Sequence, residues 1–69
     1  MKEDIVNGII AYEIGELNDI ETIKLFSKLV QNGYAWSLQG HYGRTATELI
    51  RGEYLTSAGK ITDKIYELE

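Results

Sequence analysis

The chain has 69 residues, a net charge of −4, one His, no Cys and no Pro. That excludes a disulfide framework, a thiolate zinc site and a His-rich metal site, and the acidic balance argues against broad phosphate-backbone binding. The apolar runs are too short for a membrane span or a signal-peptide core, so a single domain, residues 1–69, working in a cytoplasm is expected. A core this small supplies roughly 3–5 kcal/mol of net stability. With no covalent or metal staple, the remaining routes are good helix packing and self-association, and a homo-oligomer is expected.

Residues 3–14 have helical spacing, with Ile5, Val6, Ile9, Ile10 and Tyr12 as the apolar positions. Glu3 and Asp4 fall in the first turn, where acidic groups suit the helix dipole. Gly8 inside this helix costs about 1 kcal/mol relative to Ala, which suggests close approach of another backbone. Gly15 is the expected C′ residue. A second helix follows, with Asn18 and Glu21 spaced as a capping box. Ile20, Ile23, Phe26, Leu29 and Val30 line one face of it, Leu25 widens that face, and Asn32-Gly33 is the stop signal.

"YAWSLQ" (34–39) reads as one or two helical turns, or as a short strand with no evident partner. "HYGRTATELIR" (41–51) reads as a helix with Tyr42, Ala46, Leu49 and Ile50 on its inner face and Gly52 closing it. Tyr54 and Leu55 are expected to tuck back onto the core. Ile61, Ile65 and Leu68 then predict a short C-terminal helix within 56–69, with Thr56 or Ser57 as its cap, either docked on the domain or facing a partner. The fold class is therefore all-α: a compact bundle or orthogonal array of three to four short helices.

The segment 33–52, "GYAWSLQGHYGRTATELIRG", holds the only Trp, the only His and both Arg residues. His41, Arg44 and Glu48 share a helix face and resemble an acid–base set. A domain of this size has little room for the ~300 Å³ that a ligand pocket normally needs, and an exposed or cap-adjacent His is the expected state. The carboxylate pairs Glu13/Glu16 and Asp19/Glu21 read as a solvated acidic corner with capping roles, since no calcium-loop spacing is present. "GHYGRT" departs from the phosphate-loop pattern, so Gly40 and Gly43 are expected to allow a tight turn and close helix packing. No cofactor, metal or catalytic set is expected.

Two binding readings remain. Gln39, His41, Arg44, Thr45 and Thr47 near a helix start have the flavour of a helix-turn-helix recognition element. Against it, residues 33–59 are net neutral, with Arg44 and Arg51 offset by Glu48 and Glu53. Trp, Tyr and Arg are also the types enriched at protein–protein hot spots. Trp36 and Leu38 are assigned to the core, and Tyr34, Gln39, His41, Arg44 and Arg51 form the candidate partner surface.

The string "IIAYEIGELND" (9–19), then "KLF" (24–26), "KLVQNGYAW" (28–36), "LQGHYGRTA" (38–46) and "ELI" (48–50) resembles a family of small uncharacterised accessory proteins of tailed phages. Its members show Y-E-x-G-E-L, then L-F-x-x-L, then W-x-L-Q-G-x-Y-G-R-x-A-x-x-L-I. The likeness covers about Ile9 to Gly52, and the tail after Gly52 lies outside it. The resemblance implies phage or prophage origin and an accessory role, and implies no reaction. The expected function is that of a non-enzymatic protein binding a host or phage protein, as an inhibitor or anti-defence factor. The alternative is a helix-turn-helix-like nucleic-acid-binding or transcription-modulating protein.

Overall fold

The helix Asp19–Gln31, α2, is the centre of the fold. Around it stand α1 (Lys2–Glu13), the single turn α3 (Tyr34–Ser37), α4 (Gly40–Arg51) and a terminal 3-10 helix (Asp63–Leu68). This computed structural model describes residues 2–38 and 40–68, with side chains from Ile5 onward. The architecture is all-α, as the periodicities predict. Among the described residues no strand forms, although Leu55 and Ile61 make an isolated antiparallel bridge. The radius of gyration is 11.0 Å, the value a close-packed chain of this length reaches, about 11 Å.

The capping logic of the sequence is realised at the start of α2. The Asn18 side chain accepts from the Glu21 backbone N–H at 2.8 Å, and the Glu21 carboxylate accepts from the Asn18 N–H at 3.0 Å. α2 is central because its apolar set spreads round the helix: Ile23, Leu25, Phe26, Leu29 and Val30 are all buried, and so is Ser27. Ala35, Tyr42, Ala46, Leu55 and Ile65 complete the core. Leu49 and Ile50 are half-buried against it.

α1 lies along α2, with Ile5, Ile9 and Tyr12 turned towards the core. A Cβ on Gly8 would lie 2.8 Å from the Leu25 Cδ1. The close approach expected at Gly8 is therefore made by a side chain, not by a second backbone. Val6 and Ile10, expected on the buried face, are both 53 % exposed. They fall outside the stripe of α1 that Ile5, Ile9 and Tyr12 turn towards the core, because an amphipathic helix buries one stripe and leaves the rest of its circumference to water. α1 ends where the sequence places its stop. Gly15 is left-handed (φ 81), its N–H bonds to the Tyr12 carbonyl, and the Glu16 N–H bonds to the Ala11 carbonyl. Those two bonds are the Schellman pair.

α4 ends in the same motif shifted by one residue from the expected glycine. The Glu53 N–H bonds to the Ile50 carbonyl and the Tyr54 N–H to the Leu49 carbonyl. The left-handed residue is therefore Glu53 (φ 70), and not Gly52. The Lys64 ammonium donates to the Gly52 carbonyl at 2.7 Å and lies over the Tyr54 ring. The Thr62 hydroxyl donates to the Glu53 carbonyl.

The expected C-terminal α-helix is replaced by a turn, a bridge and a 3-10 helix. Thr56 and Ser57 cap nothing helical. The Thr56 carbonyl accepts from Gly59 N–H, the Thr56 N–H bonds to the Lys60 carbonyl, and Ile61 is held beside Leu55. With residues 56–61 committed to that hairpin, the helix begins only at Asp63, and the Thr62 hydroxyl accepts from the Lys64 N–H at its start. Ile65 is buried and docks this segment on α2. Gly59 (φ 91) seats the hairpin. Its carbonyl accepts from the buried Ser27 hydroxyl and from the Gln31 amide.

Candidate functional site

The corner between α2 and α4 is built from short-range signals. Gly33 is left-handed (φ 83), and the N–H it frees at Tyr34 bonds to the Asn32 side chain at 3.0 Å. One turn follows, closed by the Leu38 N–H on the Tyr34 carbonyl at 2.9 Å. Leu38 is extended, which ends α3 and leaves "YAWSLQ" as one turn and not as a strand.

A single turn points its side chains in three directions. Ala35 goes into the core and is fully buried. Tyr34, Ser37 and Leu38 face α1. Trp36 faces α4, where the Cε3 of its ring lies 3.7 Å from the place a Gly43 Cβ would occupy. Trp36 is nonetheless 53 % exposed and Leu38 38 % exposed, so neither belongs to the core. Bulk alone suggests burial for both; the core space beneath α3 is filled by Ala35, Tyr42 and Phe26 instead.

The expected glycine roles change with this geometry. A Cβ on Gly40 would meet nothing within 4 Å, and one on Gly43 would make ordinary contacts with the Ala35 carbonyl and the Trp36 ring. Neither glycine is required for close packing. What Gly43 does leave is a flat floor beside the indole.

The predicted partner residues separate into three groups. Arg44 and Arg51 are exposed on the outer face of α4, with Thr47 and Glu48 between them. Tyr34 is exposed on the α1 side of the corner. His41 is half-buried and turned inward, its ring 4.2 Å from that of Tyr42 and stacked on Tyr12 at 6.4 Å. It does not join Arg44 and Glu48 as a set. Gln39 lies outside the described residues.

The inward cluster joins three helices. Tyr12 of α1 meets Phe26 of α2 edge-on at 5.2 Å and Tyr42 of α4 at 5.6 Å. The Tyr42 hydroxyl donates to the Glu13 carboxylate. Burial, and then that carboxylate acting as acceptor and as neighbouring charge, pushes the Tyr42 phenol well above its ordinary range. Glu13 is thus a tether between α1 and α4, while Asp19 and Glu21 serve the start of α2 as expected. Nothing in the spacing of residues 13 and 42 announces this pair; only the fold brings them together. Among the described residues no three or more His, Asp or Glu groups converge as metal ligands, and no helix is long and apolar enough to cross a membrane.

The surface chemistry of the corner is therefore Trp36 on its glycine floor, with Arg44, Thr47 and Arg51 along the adjoining helix. The exposed indole of α3 offers apolar area and a ring face for a cation or another ring, and the guanidinium groups of α4 offer forked donors for a carboxylate.

The chain belongs to the family described as Domain of unknown function (DUF7417), which it matches over residues 1–69. No curated protein matches it. No solved structure matches it.

Proposed function

We propose that this member of the DUF7417 family is a non-enzymatic accessory protein of phage type that binds a host or phage protein through the α3–α4 corner. The observation that carries the reading is Trp36. The one Trp of the chain is half-exposed although the core is small, so its largest apolar side chain is not spent on folding. Trp and Arg dominate interface hot spots, and rigid aromatic anchors lose little entropy on binding. Arg44 and Arg51, exposed on the adjoining helix α4, select an acidic or carboxylate-bearing partner surface. Phage origin rests on the motif likeness of residues 9–52. Inhibition of a host or defence protein is the role that suits a small binder whose inward His41 is taken up in packing.

The test begins with capture of a partner from host lysate at near-stoichiometric level and proceeds to calorimetric titration of that partner. Trp36→Ala is expected to weaken binding by at least tenfold, the range of a hot-spot truncation, while the melting temperature changes little because the indole is half in water. Binding that is indifferent to both Trp36→Ala and Arg44→Ala sinks the assignment of this corner. A low-salt gel shift that depends on Arg44 replaces the reading with a nucleic-acid one.

A further inference from the structure

α1 and the residue just after it carry a second apolar stripe that the fold does not use. Val6, Ile10 and Ile14 recur at i, i+4 and i+8, and they are 53, 53 and 63 % exposed. Beside them lies a groove of about 450 Å³ between α1 and α3, lined by Ile5, Val6, Ile9, Tyr34, Ser37 and Leu38. None of these six side chains is charged. Val6 belongs to both features, so the ridge and the groove are two parts of one face. That face lies on the α1 side of α3, away from the Trp36 ring on α4.

We infer that this face is a two-fold interface between two copies of the chain, each setting its Val6–Ile10–Ile14 ridge into the α1–α3 groove of the other. Three observations select a second copy as the occupant. The first is shape. A two-fold contact requires one patch that is complementary to itself, and a ridge adjoining a groove meets that condition. The second is charge. The chain carries −4, so two copies repel each other wherever acidic groups meet, and this uncharged recess is a place where they meet without that cost. A foreign partner finds no charge in the groove to steer it or fix its register.

The third is size. The 12 residues of α1 extend about 18 Å, and two helices abreast are about 20 Å wide. Two such faces remove on the order of 1,000 Å² from water, at the lower edge of specific interfaces. The result is a weak, concentration-dependent dimer. The pairing also supports α1 itself, a helix of 12 residues with a glycine at its middle, at the lower bound of the ~12–15 residues below which isolated helices are marginal in water.

The inference is independent of the Trp36 reading, and sedimentation equilibrium of the full chain from micromolar to submillimolar concentration tests it. The chain is expected to pass from monomer to dimer across that range. Ile10→Glu on the ridge and Leu38→Glu in the groove should each shift the midpoint upward by at least tenfold with the helical circular dichroism retained. Mixing the two variants restores one ridge-in-groove half and brings part of the association back. Trp36→Ala leaves the midpoint unchanged. A chain monomeric throughout, or a dimer untouched by Ile10→Glu and Leu38→Glu when both remain folded, overturns the inference. So does a monomer whose face instead takes up an apolar dye or a lipid vesicle, since the occupant is then foreign.

Discussion

Tyr42→Phe removes one oxygen and isolates the tether between α1 and α4. Tyr42 is 2 % exposed and its hydroxyl donates to the Glu13 carboxylate. A hydrogen bond to a charged group is worth about 1.5–3 kcal/mol. Glu13 is exposed and regains water when the hydroxyl is gone, which puts the loss at the low end, about 1.5 kcal/mol. For a domain of this size that lowers the melting temperature by roughly 6–12 °C.

The same phenol gives the experiment a second, sharper readout. Burial and the Glu13 carboxylate raise its pKa above the ordinary 10.0. The folded state therefore keeps the proton in a range where the unfolded chain releases it. The stabilisation is fully present below pH 10 and is lost as pH rises beyond it, at about 1.4 kcal/mol per pH unit. Phe has no proton to lose, so the stability curves of the two proteins approach each other above pH 10 and cross about one unit higher. Urea unfolding followed by far-ultraviolet circular dichroism from pH 7 to 12 measures both effects. Curves that stay parallel throughout the alkaline range refute the coupling of Tyr42 to Glu13, and equal stability at pH 7 refutes its magnitude.

Two further substitutions probe backbone geometry. Glu53→Gly relieves a left-handed residue at the end of α4. The strain is about 1–2 kcal/mol and the added glycine entropy about 0.5–1 kcal/mol, so calorimetry should show a net gain of about 0.5–1 kcal/mol that Glu53→Ala does not reproduce. Gly59→Ala is expected to destabilise by at least about 2 kcal/mol, because the new Cβ would lie 2.9 Å from the Ser27 carbonyl oxygen in a backbone of φ 91. A urea midpoint equal to wild type would show that the hairpin is not seated on α2 as described.

The parts of the fold legible in the sequence are those fixed by neighbours in the chain. The Asn18–Glu21 box, the Gly15 and Gly33 stops and the wide apolar face of α2 all follow from residues within four positions of one another. What was not legible depends on contacts between distant residues. Gly59 looks like an ordinary loop glycine until Ser27, 32 positions earlier, is seen beneath it. Tyr42 and Glu13 are 29 positions apart. Periodicity counts Val6 and Ile10 among the apolar positions of α1 without knowing which stripe its neighbours cover, and bulk suggests burial for Trp36, yet all three are 53 % exposed. For the candidate site, residue type was informative and orientation was not. Arg44 and Arg51 face outward as their chemistry suggests, whereas His41 turns in because α1 offers it a ring to stack on.

The hairpin and terminal 3-10 helix bear on the order in which the molecule can be made. Leu55 and Ile65 are core residues, and the Lys64, Thr62 and Gly59 contacts close the ends of α4 and the flank of α2. A ribosome delivers all four α-helices before it delivers any of these groups. Packing of the four helices without the segment after Gly52 leaves an open flank, and the core closes only when Leu55 and Ile65 have also left the exit tunnel.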